Sequence, residues 1–314
     1  MLRQAAGQVK APFRPLASGR GVLWRENLEG WLLASPWILG FLIFTAGPML
    51  VSVFLAFSQW DLVSPPKVAG LENWARLLSD RYVGHSLRIT VVYSLASVPL
   101  RITAGLLLAM LLNTKVRGLE IYRTVYYLPA VTSGVAVAML WRWIFNPEFG
   151  LLNAGLRLFG ISGPGWIYDP DWALPALIVM SLWSVGGGMV IYLAGLQGVP
   201  TELYEAADVD GATRWHKFVS VTLPMISPVI FFQLIMGIIN SLQTFTGPYV
   251  MTGGGPRDAT LFYMLYLYNN AFQWFRMGYA SSLAWLLFAV IMLLTLLVVR
   301  SSRFWVYYSG ELRK

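Results

Sequence analysis

Tyr279-Ala-Ser-Ser-Leu-Ala-Trp285-Leu-Leu-Phe-Ala-Val290-Ile-Met-Leu-Leu-Thr295-Leu-Leu-Val-Val299 holds no charged side chain, and Arg300 and Arg303 follow it directly. An α-helix rises 1.5 Å per residue, so about 20 apolar residues cross a hydrocarbon core ~30 Å thick. Working outward, five more such runs occur at 31–57, 86–112, 124–145, 172–196 and 221–244, parted by polar stretches. They account for a composition that is 57% hydrophobic and 12% charged, against about 25% charged in soluble domains. The sequence therefore predicts an all-α membrane protein with six transmembrane helices. Residues 1–30 read as a polar N-terminal segment, 31–300 as the six-span domain and 301–314 as a tail. The first apolar run is too long for a signal-peptide core and is expected to be a retained span.

Orientation follows from where Lys and Arg fall. Arg3, Lys10, Arg14, Arg20 and Arg25 precede the first span, Lys115, Arg117 and Arg123 follow the second, Arg214 and Lys217 the fourth, and Arg300, Arg303, Arg313 and Lys314 the last. The alternate connections hold only Lys67, Arg76, Arg81, Arg157, Arg257 and Arg276. The positive-inside bias places both termini of this multi-pass membrane protein in the cytoplasm.

Several chemistries lose ground. There is no cysteine, hence no disulfide framework and no thiolate site. All 15 acidic residues fall outside the six predicted spans, so no carboxylate relay of the kind proton-driven transporters use crosses the membrane. No lysine follows a glycine, which excludes a P-loop; any ATP and Mg that drive this protein are expected on another chain, and neither cofactor nor metal is expected here. Asp169-Pro170-Asp171 is the one acidic pair that suits an alternative reading, a polytopic membrane glycosyltransferase. Arg88, Arg101 and Arg142 are the charges within the spans; Arg101, beside Pro99, is the deep one and must face protein or water. Proline and glycine breaks, including Gly186-Gly187-Gly188, suit a protein that encloses a path.

The segment Pro200-Thr-Glu-Leu-Tyr-Glu205-Ala-Ala-Asp-Val-Asp-Gly211 through Leu223-Pro224 reads as a helix, a turn at Asp210-Gly211, and a second short helix over 212–220. Ala206 and Ala207 leave a notch in which another backbone can approach closely. Glu205-Ala206-Ala207, with Gly211 four residues beyond and Leu223-Pro224 closing the loop, resembles the EAA loop of permease subunits of binding-protein-dependent ABC importers. Ser35-Pro36-Trp37, Tyr127-Leu128-Pro129-Ala130, Trp141 to Asn146 and Gly253-Gly-Gly-Pro256 are similar to the sugar-uptake branch, and the likeness covers roughly residues 30–309. The long extra periplasmic domain of the maltose-type large permease is absent.

The resemblance implies a type I ABC importer permease fold in which the 200–224 loop couples to an ATPase subunit through Glu205, Ala206, Ala207, Asp210, Gly211, Leu223 and Pro224. It implies a second homologous permease, a dimer of ATPase subunits that bind ATP and Mg, an extracytoplasmic solute-binding protein, and no enzymatic activity in this chain. For the solute, Asn240, Ser241 and Thr244 share one helical face with Gly237 one turn earlier, while Trp183, Ser184 and Gly187 form a comparable face in the fourth span; the alternative is that these polar groups only bond neighbouring helices. With Arg101 as the sole deep cation, the expected cargo is a neutral oligosaccharide, with glycerol 3-phosphate or a related organophosphate as the alternative.

Overall fold

A computed structural model describes residues 20–114 and 117–307. Arg3, Lys10, Arg14, Lys115, Arg313 and Lys314, used above for orientation, lie outside the described residues. The chain divides into two compact units, one ending at Ser52 and the other starting at Val53.

From the first unit α1 (Arg20–Phe41) passes through a π-helical turn at Leu42–Ala46 into α2 (Gly47–Ala56), whose residues from Val53 on belong to the second unit. The loosening has a local cause: Pro48 has no N–H to donate, and Gly47 N reaches back five residues to Leu42 O. The helix starts eleven residues before the predicted 31, so Glu26 and Glu29 belong to the candidate span Glu26–Ala56 rather than lying outside it.

After the end of α2 the second unit continues with a two-stranded antiparallel hairpin, β1 (Ser58–Gln59) and β2 (Lys67–Val68), and the short amphipathic helix α3 (Glu72–Ser79). α4 (Arg81–Leu112) follows, 32 residues long and uninterrupted despite Pro99. α5 (Leu119–Val131) and α6 (Gly134–Ile144) form one span bent by 98°. After α7 (Leu151–Leu158), α8 (Pro170–Ser181) and α9 (Gly186–Gln197) form a second bent span, its halves meeting at 47° through a 3-10 turn. The short helices α10 (Thr201–Val209), α11 (Arg214–Lys217) and α12 (Leu223–Met225) precede α13 (Ser227–Leu242), α14 (Thr246–Met251), α15 (Tyr263–Tyr268) and the final α16 (Met277–Trp305). Four candidate spans without a sharp bend, together with the two bent pairs counted as one span each, give the six expected. The bent pairs take in Glu120 and Asp171 at their first turns, so these acids sit at span ends.

α4 is the axis of the packing. Toward its N-terminal half, Val83, Ile89 and Tyr93 join Phe145, Leu177, Leu242, Phe262, Tyr263 and Leu283 in one buried cluster. Toward its C-terminal end, Leu106, Ala109 and Leu112 pack with Met189, Tyr192, Leu193 and Leu196 in a second. Polar ties fix the first cluster: Tyr263 N donates to Thr90 Oγ1 at 2.9 Å, and Tyr263 Oη donates to the Leu283 carbonyl at 2.9 Å. At the head of α4, Asp80 Oδ1 accepts from Tyr82 N at 2.9 Å as an N-cap, and Oδ2 accepts from the hydroxyls of Tyr266 and Tyr279. Arg76 lies over the Tyr279 ring, 4.6 Å from its centroid. One carboxylate thus joins α4, α15 and α16.

The two bent spans meet through a glycine. A Cβ on Gly186 would lie 1.9 Å from the Tyr126 carbonyl oxygen, whereas one on Gly187 would lie 3.6 Å from Ala130 Cβ. At the first position only hydrogen fits against backbone that has no rotamer to change.

Two outcomes follow. Gly186→Ala should lower the thermal stability of the solubilised protein by the equivalent of about 2 kcal/mol or more, with Gly187→Ala near the parent; equal effects in a melting assay would contradict the close approach. Partial burial raises the Asp80 pKa, but the Tyr266, Tyr279 and Tyr82 hydrogen bonds outweigh it and hold it below 3.8. A lowered folded-state pKa contributes stability above the unfolded value that is lost as pH falls through the folded one. Asp80→Asn should cost about 1 kcal/mol at neutral pH and flatten the decline in melting temperature below about pH 4.

Candidate functional site

α4, α9 and α13 line a partly open cavity of about 80 Å³ formed by Arg101, Gly188, Tyr192, Gln233, Gly237 and Asn240, with Val98, Ile102, Val185 and Met236 as its apolar wall. Glycines let the three helices come together there. A Cβ on Gly237 would meet Val98 Cγ1 at 2.9 Å, one on Gly188 would meet Gln233 Nε2 at 2.9 Å, and one on Gly105 would meet the Tyr192 ring at 3.3 Å. Gln233 Nε2 donates to the Gly188 carbonyl at 3.3 Å, bridging α13 to α9. Tyr192 is 1% exposed, and its hydroxyl has no partner among the described residues. The cavity therefore combines one guanidinium, two amides and a phenol, with no carboxylate in its lining. In hydrocarbon such groups persist where they face protein or a water-lined path.

Of the residues expected on the solute path, Arg101, Gly237 and Asn240 come together here. The others do not join them. Ser241 is buried, with its Oγ 2.6 Å from Ser94 Oγ, tying α13 to α4. Thr244 lies past the end of α13 and donates to the Asn240 carbonyl at 3.2 Å. Trp183 sits edge-on to Trp141 with centroids 5.8 Å apart, Ser184 donates to the Ser181 carbonyl, and Gly187 faces Ala130. Gln233, Gly188 and Tyr192 are added by the structure. Gln233 was legible: at four residues before Gly237 and seven before Asn240 it shares their helical face. Tyr192 carried no signal, because its place depends on the α4–α9 contact.

The second feature is an exposed helical hairpin. Pro200 caps α10, whose C-cap Asp210 leads into Gly211 at φ +71°. Ala212 N closes the turn on the Ala207 carbonyl at 2.9 Å, and Thr213 caps α11 by accepting from His216 N at 3.3 Å. Lys217 Nζ pairs with Asp208 Oδ1 at 2.6 Å across the hairpin. Tyr204 Oη, 2.9 Å from Thr222 Oγ1, holds it to the chain entering α13. The second helix is shorter than the 212–220 expected: it ends at Lys217 and gives way to a π-helical turn at Phe218–Thr222, one turn before Pro224 removes a donor. Leu203, Ala206 and Val209, spaced by three, are all exposed, Val209 at 89%, and Trp215 on the second helix is 68% exposed. Glu202 and Glu205 are also exposed. Gly211 has open space around it, so its glycine serves the positive φ and not a close contact.

Asp169, half of the acidic pair that suited a transferase, is the N-cap of α8 and accepts from Asp171 N at 2.9 Å. No group of three metal-ligating side chains occurs among the described residues.

Residues 101–307 match the family described as binding-protein-dependent transport system inner membrane component. The probable ABC transporter permease protein YesP of Bacillus subtilis (strain 168) is 44% identical over 292 residues, covering 91% of this chain and 94% of the relative. The lactose transport system permease protein LacF of Rhizobium radiobacter is 34% identical, covering 88% and 95%. A bacterial ABC transporter involved in the import of the acidic polysaccharide alginate has a chain that superposes with a TM-score of 0.78 at 27% identity, covering 90% of this chain and 98% of that one. The alginate transporter has also been solved in complex with its alginate pentasaccharide-bound periplasmic protein, again with a TM-score of 0.78 and 27% identity, covering 90% and 97%. Six spans, a polar cavity where three of them meet, an exposed hairpin and these likenesses agree, and the chain belongs to the binding-protein-dependent transport system inner membrane component family.

Proposed function

We propose that this chain is a permease subunit of an ATP-driven importer and forms half of the path for a carbohydrate. The observation that carries the reading is the cavity at α4, α9 and α13, whose amides and phenol suit sugar hydroxyls inside an otherwise apolar bundle. The names of the relatives, lactose and alginate transporters among them, support the solute class and give no support to an organophosphate. An extracytoplasmic solute-binding protein delivers the cargo, in keeping with the complex solved for the alginate transporter. Both termini lie in the cytoplasm.

The hairpin at 200–224 is the contact with an ATPase subunit that binds ATP and Mg. Leu203, Ala206 and Val209 offer an apolar face flanked by Glu205, and Ala207, Asp210 and Gly211 shape the turn behind it. Leu223 and Pro224 carry its motion into α13. An ATPase dimer presents two grooves and this chain one hairpin, so a second, homologous permease completes the assembly.

Two experiments check this reading. In the assembled transporter, Asn240→Leu and Gln233→Leu should each slow solute uptake about tenfold, as expected for losing a hydrogen bond in a desolvated site, while the complex still assembles; unchanged uptake would remove the cavity from the path. Gly211→Val should reduce copurification with the ATPase subunit and uncouple hydrolysis, because a β-branched residue at φ +71° is strained by about 1–2 kcal/mol. Gly211→Asn, which tolerates that φ, should stay near the parent. Equal behaviour of Val and Asn would mean that the turn geometry plays no part in coupling.

A further inference from the structure

Arg101 sits about 30 Å along α4 from Arg81 and about 16 Å from Leu112, well inside the span. Lys217–Asp208 is the one ion pair within 4.0 Å among the described residues, so Arg101 has no carboxylate partner. Nor does its guanidinium have a counter-ion across the cavity, where the remaining polar lining is Tyr192, Gln233 and Asn240. Tyr192, which lines the same cavity, has a buried and unpartnered hydroxyl. A cation in low dielectric is stabilised by an opposite charge or by hydrogen-bond acceptors. Arginine has five N–H donors and no acceptor, and a phenol can donate once. Gln233 has already committed its Nε2 to the Gly188 carbonyl. The surplus at this site is of donors and positive charge, and what is missing is an acceptor bearing negative charge.

We propose that the carbohydrate carried by this permease is acidic, and that its carboxylate is received in the α4–α9–α13 cavity by the Arg101 guanidinium. The inference rests on the carbohydrate reading above and deepens it by fixing the charge of the cargo: a uronic-acid oligosaccharide in place of the neutral one that the sequence suggested. Arg101 and the carboxylate match as a planar fork and a planar acceptor. Asn240 and the Gln233 carbonyl oxygen remain for the hydroxyls of the same sugar. The pairing also explains why a lone guanidinium is tolerated in the span, since the charge is compensated each time cargo passes.

The test uses the complete transporter, with partner permease, ATPase and binding protein, in proteoliposomes supplied with ATP. Uptake is measured for trigalacturonate and a mannuronate trisaccharide as acidic probes, and for lactose and maltotriose as neutral ones, in the parent and in Arg101→Gln and Arg101→Lys variants that copurify with their partners at parental yield. The expected result is uptake of at least one acidic probe, reduced about ten- to a hundredfold by Arg101→Gln and largely retained by Arg101→Lys. Three results would overturn the inference while leaving the carbohydrate reading intact: transport of neutral probes alone, Arg101→Gln without effect on acidic uptake, or an equal fall for acidic and neutral probes, which would assign Arg101 to the bundle or to an acid of the partner permease. Uptake of no saccharide of either kind would remove the carbohydrate reading itself, and this inference with it.

Discussion

Within hydrocarbon there is no water to take up a freed backbone group, so a helix can break only where its own side chains or a neighbouring helix supply the partner. Both bent spans meet this condition locally. At the 98° bend Thr132 N returns to the Pro129 carbonyl, Thr132 Oγ1 donates to the Leu128 carbonyl, and Val137 N picks up the Ser133 carbonyl as the next helix starts. At the 47° bend a 3-10 turn takes over: Val185 N donates to the Leu182 carbonyl before Met189 N resumes on Val185. Gly186 then brings the second bend against the first, at Tyr126. With the bends registered, α9 is aimed at α4 and α13, and the polar cavity lies where the three meet.

Hydropathy was enough to place six spans, because a length of about 20 apolar residues is a constraint set by the bilayer and independent of packing. It could not show which prolines matter. Pro99 and Pro175 lie inside helices that continue through them, whereas the sharp bend follows Pro129 at Thr132–Ser133. The difference is tertiary: what decides is whether a neighbour makes the bent form the better packed one. The start of the first helix was also misjudged, since Glu26 and Glu29 lower hydropathy without opposing helix formation.

The same distinction runs through the site. Helical periodicity correctly put Gly237 and Asn240 on one face, and the face extends back to Gln233. It could not tell that Ser241 has a partner across the helix interface in Ser94, or that Tyr192 on α9 joins the expected Arg101 in the cavity lining. Those are contacts between segments far apart in sequence. The hairpin was more legible than the cavity, because its geometry is local: the Asp210-Gly211 turn, the Thr213 cap and the Asp208–Lys217 pair all close within nine residues of sequence.

The strap between Tyr307 N and Ser227 Oγ, 2.8 Å long and spanning 80 residues of sequence, bears on biogenesis. Ser227 opens α13, which supplies Gln233, Gly237 and Asn240 to the cavity. At a synthesis rate of about 5–20 residues per second, Tyr307 is added ~4–16 s after Ser227. During that interval α13 has been made but its entry is unanchored, and the nascent chain must hold a polar helix face in the bilayer without this tie. Anchoring of the helix that carries the amides therefore waits on the residues at the far end of the last span. A chain cut short before Tyr307 would still contain all six spans but would leave Ser227 Oγ without this donor.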